Sequence, residues 1–185
     1  MNFLEYYKQI PAFSNPCDQK LHYHEIRKDD TLNGYGVRTV IFFSGCNHYC
    51  KGCHNPQTWD INGGSIFDEN AKQKLFTLSS PDYVNGITLS GGDPLMPNNI
   101  ESVIHLCKEF KSEFPNKTIW CYTGYTVEEL NLDALYDASK IDVIVDGPFI
   151  PEKADIKYPF AGSTNQRIID VKKTIMNNEI TLFEI

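Results

Sequence analysis

From residue 38 onward, short apolar runs alternate with amphipathic ones, and that alternation leaves few folds open to the chain. Residues 38–43 read as a buried strand, 68–78 as a modest helix and 86–89 as a second strand. Residues 98–114 carry Ile100, Val103, Ile104, Cys107 and Phe110 at helical spacing, and Pro115 stops that helix. Residues 117–122 predict the next strand. Thr126-Val127-Glu128-Glu129 has the pattern of a capping box and predicts a helix running to about residue 138. Residues 141–145 and 168–171 predict further strands, and 179–185 alternate like an edge strand. Strands alternating with helices imply a mostly parallel sheet with right-handed crossovers, an α/β fold.

The unusual residues fall at one kind of place on this map. The loop holding Cys46, Cys50 and Cys53 follows the first of these strands, and Ser90-Gly91-Gly92-Asp93-Pro94 follows the second. Tyr122-Thr123-Gly124-Tyr125 follows the third, and Asp146-Gly147-Pro148-Phe149 the fourth. Four polar, glycine-bearing segments thus come at the carboxyl ends of successive strands, the edge where open sheets and β/α barrels bind ligands.

At 185 residues, the chain has the size of one domain spanning 1–185. Within it, 38–150 form the core β/α units, and 1–28 form an N-terminal extension to which the sequence assigns no role. A net charge of −7 gives no reason to expect a nucleic-acid surface. The start, Met1-Asn2-Phe3-Leu4-Glu5, lacks a basic segment followed by an apolar one, and nothing approaches the length of a membrane span. The expectation is a soluble, cytoplasmic protein.

Three of the six cysteines share one loop, Cys46-Asn47-His48-Tyr49-Cys50-Lys51-Gly52-Cys53, with C-x3-C-x2-C spacing. In a chain of this kind such a cluster points to a metal site rather than disulfides. Three thiolates can hold three irons of a cubane cluster and leave the fourth open to a substrate. Two other readings stand beside this one. A structural zinc site would recruit His48 or His54 as fourth ligand, although zinc ligands usually come as two separated pairs. An electron-carrier cluster would need a fourth cysteine from far along the chain. Cys107 and Cys121 fall in apolar periodic segments and read as buried packing residues, and Cys17 is unassigned.

Each remaining segment also has a plain reading. Ser90-Gly91-Gly92-Asp93 is either a tight turn or a place where backbone N–H and C=O groups come close to a ligand, with Asp93 adding charge. Tyr122 and Tyr125 are rim packing or ligand-stacking groups. Arg167 is a surface arginine or a carboxylate binder.

Taken together, these residues resemble the radical S-adenosylmethionine (SAM) enzymes, and among them the small activating proteins of the anaerobic ribonucleoside-triphosphate reductase. The C-x3-C-x2-C triplet and Gly91-Gly92-Asp93-Pro94 carry the wider resemblance. Cys53-His54-Asn55 with Thr58-Trp59, Trp120-Cys121-Tyr122-Thr123-Gly124-Tyr125, Val145-Asp146-Gly147, and Gly162-Ser163 with Asn165-Gln166 carry the narrower one. The resemblance implies a partial, open β/α (TIM-like) barrel, shorter than the complete barrels of about 250 residues. It implies a 4Fe–4S cluster on Cys46, Cys50 and Cys53, with SAM chelating the open iron. Ser90, Gly91, Gly92 and Asp93 would hold the methionine end of SAM. Gly52, Cys53, His54, Tyr122 and Thr123 would border its adenosine. Reductive cleavage of SAM would give a 5′-deoxyadenosyl radical, which takes a hydrogen from a glycine of the large reductase subunit. The cofactors carry this chemistry, so no side-chain general base is expected. The resemblance further implies a flavodoxin- or ferredoxin-type electron donor. The other readings are action on a different glycyl-radical enzyme or small molecule, and the non-catalytic zinc or electron-carrier module.

Overall fold

The computed structural model describes residues 20–185. Cys17 and most of the N-terminal extension lie outside the described residues. Seven strands form one open sheet in the order β3-β1-β2-β4-β5-β6-β7. They are β1 (His22–Asp30), β2 (Val37–Phe43), β3 (Ser65–Ile66), β4 (Val84–Gly91), β5 (Thr118–Tyr122), β6 (Val143–Asp146) and β7 (Arg167–Asp170). Among the described residues, the α-helices are α1 (Glu69–Ser79), α2 (Pro97–Glu113), α3 (Leu132–Ser139) and α4 (Val171–Asn177).

The four central strands, β2, β4, β5 and β6, run parallel, as their alternation with helices requires. The marginal strands β1, β3 and β7 pair antiparallel. Side chains alternate across each strand, so each face of the sheet has its own core. On the helix side, Ile41, Phe43, Ile87, Leu89, Ile119, Cys121 and Ile144 pack against Leu75 of α1, Val103, Cys107 and Phe110 of α2, and Leu135 of α3. Cys107 and Cys121 are therefore core residues as expected, and burial pushes both thiols far up from their ordinary value. On the opposite face, Trp120, Val143, Val145 and Ile168 form a smaller cluster covered by Phe160 and Phe183.

Arg38 lies fully buried on that second face. Its guanidinium donates to Thr88 Oγ1 (2.6 Å), Thr118 Oγ1 (3.0 Å), Thr118 O (3.0 Å) and Tyr35 O (3.2 Å). One side chain thereby crosses β2, β4 and β5 and fixes their register beneath the carboxyl-end loops. Its partners are neutral oxygens, and burial lowers its pKa to about 10.

Three expectations change at the margins. The extension's residues 22–28 belong to β1, whose exposed His24, Glu25, Arg27 and Lys28 hide the strand from a hydrophobic pattern. Half of the Thr126–Glu129 box forms: Thr126 N and Oγ1 both donate to Glu129 Oε2, while Glu129 N donates to the Thr126 carbonyl rather than to its hydroxyl. It closes a single turn, because α3 begins afresh at Leu132. The C-terminal residues 179–185 make only an isolated bridge between Leu182 and Ile169. The reason is α4: Asp170 caps it through Lys173 N, and Asn178 (φ 52°) reverses the chain, so only residues 181–183 reach β7.

Candidate metal and cofactor site

All four expected loops, after β2, β4, β5 and β6, converge on one cavity of about 280 Å³ at the carboxyl edge of the parallel strands. That is near the lower end for small-molecule sites, about 300 Å³. Cys46, Cys50, Cys53 and His54 line it from the first loop, Ser90, Gly91, Gly92 and Asp93 from the second, and Tyr122 and Thr123 from the third. Gly52 is the one expected site residue not among the lining groups; it is exposed, beside Pro151 and Phe149. The far wall comes from Gly147 and Phe149 of the expected fourth loop together with Phe160, Ala161, Gly162 and Gln166, which the sequence did not place in the cavity.

The cysteine loop is anchored at its base. Gly45 N donates to Thr58 O (2.7 Å) and Cys46 N to Trp59 O (3.2 Å). Buried Thr58 returns its hydroxyl to Asn55 O (2.6 Å). Asn99, in the first turn of α2 and 2% exposed, donates to both Ser44 O (2.8 Å) and Asp93 O (3.0 Å). Asn99 carries no motif signal; only its place on α2 brings it under both loops. Asn55 N points at Cys53 Sγ (3.3 Å), a contact of the kind that tunes iron–sulfur ligands. Burial raises the Cys46 thiol to about 11, so any metal bound there would have to displace a proton.

The glycine segment is shaped by close approach. A Cβ on Gly91 would lie 2.5 Å from Phe43 N, and φ of 101° independently favours glycine. A Cβ on Gly92 would lie 2.3 Å from Gly45 O. The two loops therefore pass backbone against backbone, with Gly92 N donating to Phe43 O (2.8 Å) and Asp93 N to Gly45 O (2.7 Å). Asp93, 1% exposed, has its carboxylate bound to Leu95 N (2.8 Å), Thr123 Oγ1 (3.0 Å), Gly124 N (2.9 Å) and His48 Nε2 (2.7 Å). That carboxylate is committed to protein donors. Tyr122, whose hydroxyl is pushed up by burial, donates to Phe160 O (2.7 Å) and so braces the far wall. Gln166 closes that wall by donating to Gly147 O (2.9 Å) and accepting from Gly162 N (2.9 Å).

These features fit a cubane on Cys46, Cys50 and Cys53. In a cubane each thiolate binds its own iron, so the three sulfurs need not converge. A zinc ion does need converging ligands. Among the described residues, no three His, Cys, Asp or Glu side chains are grouped to hold a single ion.

Arg167 lies outside the cavity lining, its guanidinium taken by Glu128 and Asp146. The pairing holds the Glu128 carboxyl down at about 2, from an ordinary 4.5. A depressed carboxylate stabilises the fold fully above its unfolded pKa and loses that contribution as pH falls through the folded one. The urea midpoints of wild type and Glu128→Gln are thus expected to differ at neutral pH and converge as pH falls from about 4.5 to about 2. The difference should stay within about 1 kcal/mol, because the pair is largely exposed.

A family described as a 4Fe–4S single cluster domain matches residues 32–169. The chain is 39% identical to the anaerobic ribonucleoside-triphosphate reductase-activating protein of Haemophilus influenzae over 150 residues, 80% of this chain and 97% of that protein. It is 40% identical to the protein of the same name from Vibrio cholerae, with the same coverage. The counterpart from Enterobacteria phage T4 is 39% identical over 148 residues, 80% of this chain and 93% of the phage protein. Agreement at this level across the strands and loops that build the cavity shows that the chain belongs to the anaerobic ribonucleoside-triphosphate reductase-activating proteins.

Proposed function

We propose that this protein is the activating enzyme of an anaerobic ribonucleoside-triphosphate reductase and works by radical SAM chemistry. The observation that carries the reading is the single cavity at the strand ends, where three loop cysteines meet the Gly91–Gly92 backbone. Cys46, Cys50 and Cys53 would hold the 4Fe–4S cluster, with no fourth protein thiolate in the loop. When bound, the cluster and SAM would supply one-electron reductive cleavage of the sulfonium, the radical chemistry needed to remove hydrogen from a glycine of the reductase.

The chain's own groups bind, orient and exclude water. Backbone at Ser90, Gly91 and Gly92 is close enough to the cysteine loop to serve the amino-acid end of SAM beside the open iron. Tyr122 and Thr123 shape the floor, and His54, packed against Phe149 at 4.7 Å, borders the adenosine side. Gly52 contributes backbone at the rim. Asp93 acts by holding three loops together. No side chain is asked to serve as general base.

The open seven-stranded sheet is read as a partial barrel whose uncovered side admits the reductase's glycine-bearing loop. A reduced flavodoxin or ferredoxin is the electron source in this reading, and the cytoplasm its setting. Among the described residues, no helix is long and apolar enough to cross a membrane.

The test is anaerobic: reconstitute the protein with iron and sulfide, reduce it, then add SAM and purified reductase. Formation of 5′-deoxyadenosine together with a glycyl-radical EPR signal on the reductase is the expected result. SAM cleavage with no such signal would remove the reductase as substrate. A cluster indifferent to SAM would remove the radical SAM reading altogether.

A further inference from the structure

His48 is the middle residue of the three-residue spacer between Cys46 and Cys50, and neither thiolate ligation nor strand packing calls for an imidazole there. Its ring is nonetheless enclosed by the other loops. Nε2 stands 2.7 Å from Asp93 Oδ2, and the ring lies edge-on to Tyr125 at 4.6 Å. On a further side it presses on Gly124, where a Cβ would come within 2.4 Å of His48 Cδ2. The same Asp93 oxygen accepts from Thr123 Oγ1 (3.0 Å) and Gly124 N (2.9 Å). One buried carboxylate therefore joins the loops after β2, β4 and β5, and His48 is the cysteine loop's contribution to that joint. The loop's backbone ties to the Thr58–Trp59 segment, from Gly45 and Cys46, lie at its start, so His48 pins its middle.

We propose that His48 is a positioning residue. It fixes the Cys46–Cys53 span against the Gly91–Asp93 segment, so that the thiols and the backbone facing the amino-acid end of SAM keep one geometry. The proposal rests on the cluster and SAM reading given above. A ring wedged between Asp93, Tyr125 and Gly124 has few other rotamers open to it, which lets it transmit position between loops. Gly124 is glycine for this packing: alanine there would displace the imidazole rather than merely crowd it.

The test uses His48→Ala, His48→Gln, Gly124→Ala and the His48→Ala/Gly124→Ala double variant. In the cluster-free protein, amide hydrogen exchange is read at Gly124 N, whose acceptor is the shared Asp93 oxygen. In the reconstituted protein, iron content and the SAM dissociation constant are read by calorimetry. His48→Ala is expected to keep its iron, to exchange faster at Gly124, and to bind SAM on the order of 10–100-fold more weakly, as for losses of outer-shell support. Gly124→Ala should reproduce both effects with the histidine still present. The double variant should bind no more weakly than His48→Ala, since its ring is already gone. His48→Gln, which retains an amide donor, should recover part of the loss.

Unchanged Gly124 exchange and wild-type SAM affinity in His48→Ala would overturn the proposal, as would additive effects in the double variant. Should His48→Ala fail to fold, Gly124→Ala decides alone, with wild-type affinity counting against the proposal. If the wild-type protein itself binds no SAM, the functional reading falls, and the exchange of the cluster-free protein still decides the role of His48.

Discussion

Cys50→Ala is expected to leave the fold intact while abolishing the brown colour, the cluster EPR signal and all production of 5′-deoxyadenosine. The separation follows from where the cysteine stands. Cys46, Cys50 and Cys53 are half-buried at the cavity wall and belong to neither hydrophobic cluster. Substitution away from a core typically moves stability by no more than about 0.5 kcal/mol. Thermal unfolding of the metal-free variant should therefore match that of metal-free wild type. On the proposed ligation, cluster assembly should depend on all three thiolates, because the other free cysteines among the described residues, Cys107 and Cys121, are buried on the helix side of the sheet. Neither can reach the loop without opening the core. Iron and sulfide analysis after anaerobic reconstitution gives the reading directly. A variant that retained a full cluster would mean that another ligand replaces Cys50, and the three-cysteine assignment would fail.

Much of the site was legible because its residue types sit where only one arrangement of the chain can use them. Loops after parallel strands must emerge on one edge, so C-x3-C-x2-C, Gly91-Gly92-Asp93 and Tyr122-Thr123 were bound to meet once the strands were read. Most of the far wall was not legible. Beyond the expected Gly147 and Phe149, Phe160 and Gln166 come from an irregular stretch whose path is set by tertiary bonds such as Gln166 Nε2 to Gly147 O, and no periodicity encodes such a path. The loop-joining contacts of His48, which the sequence offers only as a possible zinc ligand, and of Asn99 are hidden for a related reason. Each acts through a partner more than 40 positions away, Asp93 and Ser44 respectively, and neither partner leaves a local mark. β1 escaped because its stability comes from its ladder to β2 rather than from apolar alternation. The start of α3 was misplaced because a capping-box pattern encodes a turn, and the chain beyond Leu130 decides whether a helix follows.

Gly92→Ala is expected to damage the site more than it damages the fold. The added carbon would stand 2.3 Å from Gly45 O, 2.8 Å from Gly45 C and 3.0 Å from Thr58 O, all backbone atoms that no rotamer change can move aside. Relief requires the glycine segment to withdraw from the cysteine loop. That would lengthen Gly92 N to Phe43 O and Asp93 N to Gly45 O, now 2.8 Å and 2.7 Å. Overpacking of this sort costs about 1–3 kcal/mol, which lowers the urea midpoint without unfolding the chain. The functional loss should exceed the loss of stability, because the cavity is defined by the spacing of these two loops. SAM affinity should fall well beyond the stability change, while the three cysteines, untouched, still assemble iron. Measuring cluster content and SAM affinity on the same preparation separates the two effects. Wild-type affinity in a folded Gly92→Ala protein would show that the backbone approach at Gly92 does not set the SAM site, and the ligand would have to be placed against Tyr122 and the far wall instead.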